Sequence, residues 1–351
     1  MTGPFRVLVA PDKFKGSLRA DEVAGTISRV LALNSRVEVV QHPVADGGEG
    51  TVDVALAAGF SPVTVEVTGP LGTPVGATLA LREGVAVLEM ASAAGLALLP
   101  GPPDERTAWD ATTYGVGQLV LAALDHGATR VVVGAGGSAT TDGGAGAVEA
   151  LGADARLAGI ELVVACDVDN PLLGPEGAAA VYAPQKGAGP ELVGRLEDRL
   201  ERWADVVARH TGEDRRDLPG VGAAGGLAFG LVTMANASIV SGVELLLELT
   251  GFAALARGAD LIVVGEGSLD GQSLRGKGPV GIARAVAGLG TPVVAVTGRN
   301  RLSEAELREA GLRAVYALSD LEPDVEVSMR DAARLLTEVS RTLAAASLPA
   351  P

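Results

Sequence analysis

The chain has 351 residues, a single cysteine and a formal net charge of −15. This length predicts about two domains, and one cysteine with three scattered histidines excludes an internal disulfide framework and a Cys/His zinc centre. The acidic balance argues against nucleic acid or an anionic membrane as a partner, because either would be bound through a basic surface.

Short runs rich in Val, Ile and Leu indicate strands that are buried on both faces of a parallel sheet. They lie at 6–10, 37–42, 130–133, 162–165, 261–264, 292–296 and 313–318. Apolar residues at helical spacing lie between them, at 21–33, 118–125, 191–210, 281–287 and 303–310. Three further runs, 63–67, 75–81 and 85–90, are separated only by turns that contain Gly or Pro, which favours antiparallel strands.

These elements predict an α/β protein of two domains. Residues 1–60 plus 287–351 are expected to form a flavodoxin- or Rossmann-like doubly wound parallel sheet, and residues 61–286 a second, mixed α/β domain inserted into it. The uncharged run 218–243 contains six glycines and a proline, so we interpret it as buried backbone rather than as a membrane span. Because residues 1–16 lack the pattern of a signal peptide, we expect a cytoplasmic protein.

Glycine is the most unusual part of the composition, with 48 residues, about twice the usual share of ~7%. Five clusters hold 20 of them, at 11–17, 43–51, 134–146, 219–226 and 265–281. All except 219–226 directly follow a predicted strand, and ligands of open α/β sheets bind beyond the carboxyl ends of strands. These four loops therefore predict a binding site. The cluster 219–226 carries no charged group and is interpreted as close backbone packing.

Lysine, unlike glycine, is rare in this chain. Only four of the 28 basic residues are lysines, and Lys15, Lys186 and Lys277 are each followed by glycine. The lysine ammonium is a compact charge that suits phosphate, and a neighbouring glycine lets an anion reach backbone amides. The pattern predicts an anion site, with phosphate as its ligand, in an otherwise acidic protein.

Two of the glycine loops resemble known nucleotide-binding motifs. GQSLRGK at 271–277 matches G-x-x-x-x-G-K, but Gly278 stands where a P-loop has Ser or Thr for Mg²⁺. GAGGSA at 134–139 matches the G-x-G-x-x-A of dinucleotide-binding folds, but no acidic residue ends a second strand about 20 residues later. Both loops favour phosphate binding without requiring a P-loop or a dinucleotide.

Carboxylates accompany the glycines, each at or just after a strand end: Asp12, Asp46, Glu49, Asp142, Asp167, Glu266 and Asp270. A carboxylate beside a phosphate is electrostatically unfavourable unless it holds a metal ion or accepts a proton. Phosphoryl transfer needs both functions, together with cations that neutralise the phosphates. For any single carboxylate, a role as a helix cap or in a turn stays an equal alternative.

Six motifs together resemble those of the type I glycerate kinases, and they span essentially the whole chain in family order. They are PDKFKGSL (11–18), PVADGGEGT (43–51), GGSATTDGG (136–144), APQKGA (183–188), GAAGG (222–226) and GEGSLDGQS (265–273). The resemblance implies one flavodoxin-like domain and a second domain similar to a restriction-endonuclease fold. It also implies phosphorylation of D-glycerate by ATP with Mg²⁺, on the 2-hydroxyl to give 2-phosphoglycerate, with 3-phosphoglycerate as the alternative product. Lys13 and Thr141 stand where Ser and Asn are common in the family.

On this resemblance we assign site roles as hypotheses. The residues assigned to proton transfer and charge neutralisation are Asp270, Asp12 and Lys15. Those assigned to the phosphates of ATP are Gly136, Gly137, Ser138, Lys277 and Lys13. Those assigned to glycerate are Lys186, Arg275 and Ser17, and those assigned to Mg²⁺ are Asp46 and Glu49.

Two other functions stay open on the sequence. A dinucleotide-dependent oxidoreductase of a small hydroxy acid would share the glycine loops but not the lysine–glycine pairs. A non-catalytic protein that binds a phosphorylated metabolite would not need the carboxylates. The sequence carries no prediction of oligomeric state.

Overall fold

The computed structural model describes residues 3–271, 273–275 and 278–350, and for Arg275 it describes the backbone alone. The chain divides into two compact units. Unit 1 contains residues 1–46 and 243–351, and unit 2 contains residues 47–242. Unit 2 is thus an insertion between two separate parts of unit 1.

The described residues form eleven strands and fifteen α-helices. The strands are β1 (Phe5–Pro11), β2 (Val37–Gln41), β3 (Ser61–Thr68), β4 (Pro74–Arg82), β5 (Val85–Glu89), β6 (Arg130–Gly134), β7 (Glu161–Ala165), β8 (Ser238–Val240), β9 (Leu261–Leu269), β10 (Val293–Asn300) and β11 (Ala314–Ala317). The helices are α1 (Ala20–Leu31), α2 (Thr51–Ala57), α3 (Ala91–Ala94), α4 (Glu105–Asp110), α5 (Tyr114–Asp125), α6 (Ala145–Leu151), α7 (Ala178–Tyr182), α8 (Pro190–Thr211), α9 (Ala223–Met234), α10 (Gly242–Leu249), α11 (Phe252–Arg257), α12 (Gly278–Val286), α13 (Glu304–Glu309), α14 (Val325–Arg330) and α15 (Ala332–Ser347).

Unit 1 contains a sheet of five strands in the order β11-β10-β9-β1-β2, all of them parallel. Apolar side chains of α1 and α15 pack on one face of the sheet, and side chains of α10, α11 and α12 pack on the other. The central strands are consequently buried on both sides, which is why β1, β9 and β10 are nearly continuous runs of Val, Leu, Ile and Ala.

Unit 2 contains a sheet of six strands in the order β3-β4-β5-β6-β7-β8. The first three strands are antiparallel, as the turn-separated runs predicted, and the pairs from β5 to β8 are parallel. The α/β class with two sheets is therefore confirmed. Helix α13 follows its N-cap residue Ser303. The side chain of Ser303 accepts a hydrogen bond from the backbone N–H of Glu306, and the side chain of Glu306 accepts one from the backbone N–H of Ser303.

Strands β9 and β8 differ most from the sequence prediction. β9 continues five residues past the predicted end because Ser268 and Leu269 pair with Arg299 and Asn300 of β10. The short strand β8 was not predicted. The uncharged run 218–243 contains α9 and β8, and no helix among the described residues is long and apolar enough to cross a membrane.

The division into units falls at 46/47 and 242/243, whereas the sequence placed the domain boundaries at 60/61 and 286/287. The difference at the second boundary follows from strand pairing, because β9 lies between β10 and β1 at the centre of the first sheet. Residues 243–286 contribute α10, α11, β9 and α12 to unit 1.

Candidate active site

Unit 1 contains a cavity of about 570 Å³ at the carboxyl ends of β1, β9 and β10. Its lining includes a set of carboxylates and a set of cations. The carboxylates are Asp12, Asp46, Glu266, Asp270 and Glu322, and the cations are Lys13, Lys15, Arg299 and Arg301. The predicted residues Asp12, Lys13, Lys15, Ser17, Asp46 and Asp270 thus line one cavity, as strand-end geometry requires of an open parallel sheet.

The loop after β1 is folded back on itself around a buried Phe14. Phe14 is 2% exposed, and its backbone bridges to Leu18. The hydroxyl of Ser17 donates to the carbonyl of Phe14 at 3.0 Å. Anchoring of this aromatic ring fixes the backbone between Lys13 and Lys15, and both lysines line the cavity.

Two of the cavity carboxyls have strongly raised pKa values. The pKa of Asp12 is raised to about 7, mainly by burial and also by the charge of Asp46, while Lys13 acts in the opposite direction. Burial likewise raises the pKa of Glu266 to about 8, with repulsion from Asp12, Asp270 and Asp46 as smaller causes. A concentration of unfavourable negative charge in a cleft is typical of a site that binds a cation or moves a proton.

The loop after β9 places Asp270 and Glu266 next to each other. The hydroxyl of Ser273 donates to Oε1 of Glu266 at 2.6 Å, and the backbone N–H of Asp270 donates to the Ser273 hydroxyl at 3.2 Å. Ser273 therefore connects the two acidic residues. The predicted phosphate ligand Lys277 lies outside the described residues, as does the side chain of the predicted glycerate ligand Arg275.

Arg299 and Arg301 were missed by the sequence analysis. Arg299 lies in the last residues of β10 and Arg301 follows it, and both line the cavity. Within the part of the chain that the structure describes, neither side chain makes an ion pair or hydrogen bond. The signal was present, because the segment TGRNR (297–301) follows the buried run 292–296 as the other site loops follow theirs.

Unit 2 contains the loop after β6, which carries the predicted Gly136, Gly137 and Ser138. Among the described residues, the structure gives the amide N–H groups of these three residues no acceptor. At Gly136 a Cβ would lie 2.4 Å from Cα of Gly48, and at Gly137, where φ is +73°, a Cβ would lie 2.6 Å from Oε1 of Glu49. Unpaired backbone amides suit an anion, and at Gly137 the carboxylate of Glu49 lies beside them.

Asp142, at the end of the same loop, serves as a structural cap. Its carboxylate accepts hydrogen bonds from the backbone N–H and hydroxyl of Thr113 and from the N–H groups of Gly144 and Gly146. The carboxylate of Asp167 similarly accepts from the N–H of Gly242 at 3.0 Å. Of the seven strand-end carboxylates, these two are turn and cap residues.

Lys186 does not fit its predicted contact with glycerate. Its side chain is 1% exposed, and its ammonium donates to the carbonyl of Thr140 at 2.5 Å. A buried ammonium that already has a backbone partner is not placed to meet a substrate carboxylate. The sequence could not distinguish this position from the exposed Lys15, because both lysines precede glycine.

The metal ligands predicted from the sequence belong to different units, Asp46 to unit 1 and Glu49 to unit 2. Among residues 3–271, 273–275 and 278–350, no group of three or more His, Cys, Asp or Glu side chains is arranged to hold a metal ion. Mg²⁺ does not need such a group, because it is commonly bound by one or two carboxylates together with substrate phosphates and water. The carboxylates of the unit 1 cavity fit that mode of binding.

Comparison with known proteins places this arrangement among the phosphotransferases. The model of the glycerate kinase family matches residues 7–155 and 153–348. The glycerate kinase of Bacillus subtilis (strain 168) is 38% identical over 372 residues, with 97% of each chain covered. The glycerate 2-kinase of Escherichia coli (strain K12) is 35% identical over 372 residues, again with 97% of each chain covered.

A solved structure supports the same assignment. The crystal structure of a "putative glycerate kinase 2" from Salmonella typhimurium LT2 has a TM-score of 0.78 at 36% sequence identity and covers 98% of both chains. The chain belongs to the glycerate kinase family. This finding favours the kinase hypothesis over a dinucleotide-dependent oxidoreductase and over a non-catalytic phosphometabolite-binding protein.

Proposed function

We propose that this enzyme transfers the γ-phosphoryl group of ATP to D-glycerate in the presence of Mg²⁺ and that the product is 2-phosphoglycerate. The observation that carries the proposal is the unit 1 cavity, where the carboxylates Asp12, Asp46, Glu266 and Asp270 and the cations Lys13, Lys15, Arg299 and Arg301 line one cleft. The family assignment supplies the substrate class, and the Escherichia coli relative is named a glycerate 2-kinase. Because the reaction consumes ATP, we place it in the cytoplasm.

Asp12 and Asp270 are the candidates for the general base. Either carboxylate would accept the proton of the attacking hydroxyl while the glycerate oxygen bonds to phosphorus and ADP leaves. Asp12 has a pKa of about 7, which is well suited to accept a proton near neutral pH. Asp270 lies in the same cavity, linked to Glu266 through Ser273.

Asp46 and Glu49 are retained as the candidate ligands of Mg²⁺. Asp46 supports this role because it lines the cavity and its charge raises the pKa of Asp12. Glu49 supports it because its carboxylate lies beside the backbone of Gly137 in the unit 2 loop. A bound Mg²⁺ supplies neutralisation of the phosphate charge.

The phosphates of ATP have two candidate sets of donors. In unit 2 they are the amides of Gly136, Gly137 and Ser138, which lack acceptors among the described residues. In unit 1 they are the ammonium groups of Lys13 and Lys15, with Lys277 retained from the sequence. Backbone amides and lysine ammonium groups are the usual phosphate donors of NTP-dependent enzymes.

We assign the glycerate carboxylate to Arg299, with Arg275 and Ser17 retained as further candidates. Arg299 is a fork-shaped donor in the cavity, and within the described residues its guanidinium has no ion pair. A guanidinium binds a carboxylate through two parallel hydrogen bonds. Replacement R299M is expected to raise KM for D-glycerate at least tenfold, whereas R308M, on α13 outside the cavity lining, should leave it within twofold.

The overall activity is tested by ADP release. Purified protein with ATP and Mg²⁺ is expected to produce ADP at a rate that depends on D-glycerate, and ³¹P NMR is expected to show the 2-phospho product. ADP no higher than in the blank without glycerate would refute the proposed function. A 3-phospho product would support the kinase activity but refute transfer to the 2-hydroxyl.

The identity of the base is tested by two isosteric variants. D12N and D270N both remove a carboxylate with little change of shape. The variant that lacks the base should lose at least 100-fold in turnover, since general base catalysis contributes about 10²–10⁴-fold, while the other should lose less. Equal, small losses in both variants would exclude both residues as the base.

A further inference from the structure

Two cationic side chains, the buried Lys186 and the partly buried Arg199, bind the proposed phosphate loop of unit 2. Lys186 is 1% exposed, and its ammonium donates to the carbonyl of Thr140. Arg199 of α8 donates from Nη2 to the carbonyl of the next residue, Thr141, at 2.5 Å. Two positive side chains from different elements thus bind consecutive carbonyls of one loop.

Arg199 is itself held in place by Trp109. Its Nη1 donates to the carbonyl of Trp109 at 2.8 Å, and its guanidinium lies 4.6 Å from the centre of the indole ring. Arg195 lies over the same ring at 4.7 Å. Arg195 has no hydrogen bond to the loop among the described residues, which makes it a matched control for Arg199.

The opposite side of the loop is formed by the glycine cluster 219–226. The N–H of Gly143 donates to the carbonyl of Gly225 at 3.0 Å, and a Cβ on Gly225 would lie 1.9 Å from the carbonyl oxygen of Thr140. Ala224, Gly225 and Gly226 have left-handed backbone conformations, with φ of 55°, 69° and 87°. The Thr140 carbonyl is therefore enclosed by the Lys186 ammonium and by the backbone of Gly225.

Buried cations are an inefficient means of stabilising a fold. Moving a charge out of water is costly, and apolar residues of similar size often stabilise a protein as well or better. Burial lowers the pKa of Lys186 to about 7 and lowers that of Arg199, while the charge of Asp142 opposes both shifts. Buried polar and ionic groups can nevertheless fix one conformation of the backbone that they bind.

We propose that Lys186 and Arg199 are positioning residues, which hold the carbonyls of Thr140 and Thr141 and thereby keep the loop 136–141 in the conformation that binds an anion. The identity of this anion as an ATP phosphate rests on the proposed function. Neither residue touches substrate, and both act through backbone carbonyls.

The experiment compares K186M and R199M with R195M in the full chain. Hydrogen–deuterium exchange of a peptide that covers 136–144 reports on the loop without any ligand, and KM values for ATP and D-glycerate report on function. K186M and R199M are expected to exchange at least fivefold faster in this peptide and to raise KM for ATP at least fivefold. KM for D-glycerate should stay within twofold, and R195M should match the wild type in all three measurements.

Each other outcome has a defined meaning. Unchanged exchange in folded K186M and R199M would overturn the positioning role, and so would a rise in KM for D-glycerate alone, which would restore direct substrate contact by Lys186. Faster exchange with an unchanged KM for ATP would support the positioning role of Lys186 and Arg199 but refute the binding of ATP phosphates by this loop. If a Met variant does not fold, K186Q and R199Q, which keep one N–H donor without the charge, are expected to show the same changes at lower amplitude.

Discussion

The hydroxyl of Ser273 lies 2.6 Å from Oε1 of Glu266, in a cleft where Glu266 is surrounded by three other carboxyl groups. Donation from Ser273 acts to lower the pKa of Glu266, but burial outweighs it and the pKa stays at about 8. At neutral pH most of the Glu266 carboxyl groups are therefore protonated, in the absence of a metal ion.

This pKa predicts a pH-dependent difference between wild type and E266Q. Glu266 binds more protons in the folded protein than in the unfolded chain between about pH 4.5 and pH 8, so its contribution to stability falls as pH rises through that window. The glutamine does not titrate, so in buffer with a chelator the free energy of unfolding of E266Q minus that of wild type should increase from pH 5 to pH 8. A constant difference would contradict the raised pKa.

E266A, which leaves the Ser273 hydroxyl without an acceptor, should be about 1–3 kcal/mol less stable than E266Q at every pH.

The lowered pKa of Lys186 predicts a stability contribution that rises with pH. Its folded pKa of about 7 lies below the usual lysine value of 10.5, so the unfolded chain binds more protons between pH 7 and pH 10. Stability of the wild type relative to K186M should therefore rise with pH in this window, by up to about 1.4 kcal/mol per pH unit. Chemical denaturation at pH 7, 8 and 9 measures this slope. A slope of zero would mean that Lys186 stays charged in the folded protein.

Lys15 tests the cationic side of the cavity. It is exposed, it lines the cavity, and within the described residues it forms no ion pair. K15M is expected to lower turnover at least tenfold, with an unchanged melting temperature. The variant lacks the positive charge that would neutralise the negative charge of the transferred phosphoryl group. K15R, which keeps the charge, should recover part of the activity. Near-normal turnover of K15M would remove Lys15 from the site.

Replacement of Gly225 tests the close contact between its backbone and the carbonyl oxygen of Thr140. G225A combines a left-handed φ of +69° with a Cβ that would lie 1.9 Å from the carbonyl oxygen of Thr140, so about 2–4 kcal/mol of stability should be lost. G101A is the control, because a Cβ at that position meets no atom within 4 Å. Thermal unfolding of both variants gives the comparison. A G225A variant as stable as G101A would show that the loop can move away without cost.

Much of the fold could be predicted because the central strands are buried on both faces. Such strands are continuous apolar runs, and each strand predicted from one is present in the structure. The last part of β9 could not be predicted in this way, since Gly265, Glu266 and Gly267 have low strand propensity and are held in the sheet by pairing with β10. Propensity is local, whereas this pairing joins residues about 30 positions apart.

The site shows the same limit. Asp12, Lys15 and Asp270 were predicted to belong to one site because each follows a strand of a parallel sheet, and one cavity contains them. The position of Lys186 could not be predicted, because lysine is almost never fully buried and its partner is a backbone carbonyl 46 residues away. Asp142 has the sequence pattern of a site residue, a carboxylate beside glycines in a strand-end loop, but in the structure it caps backbone N–H groups.

The insertion of unit 2 has a consequence for the order of folding. Val7 of β1 pairs with Leu261 of β9, its neighbour in the sheet, which lies 254 residues later in the chain. All strands of the unit 2 sheet, in contrast, lie between residues 61 and 240. During synthesis on the ribosome the inserted unit has its complete sheet available while β1 and β2 still lack their central partner. Until β9 emerges, one apolar edge of β1 has no partner strand and is open to mispairing.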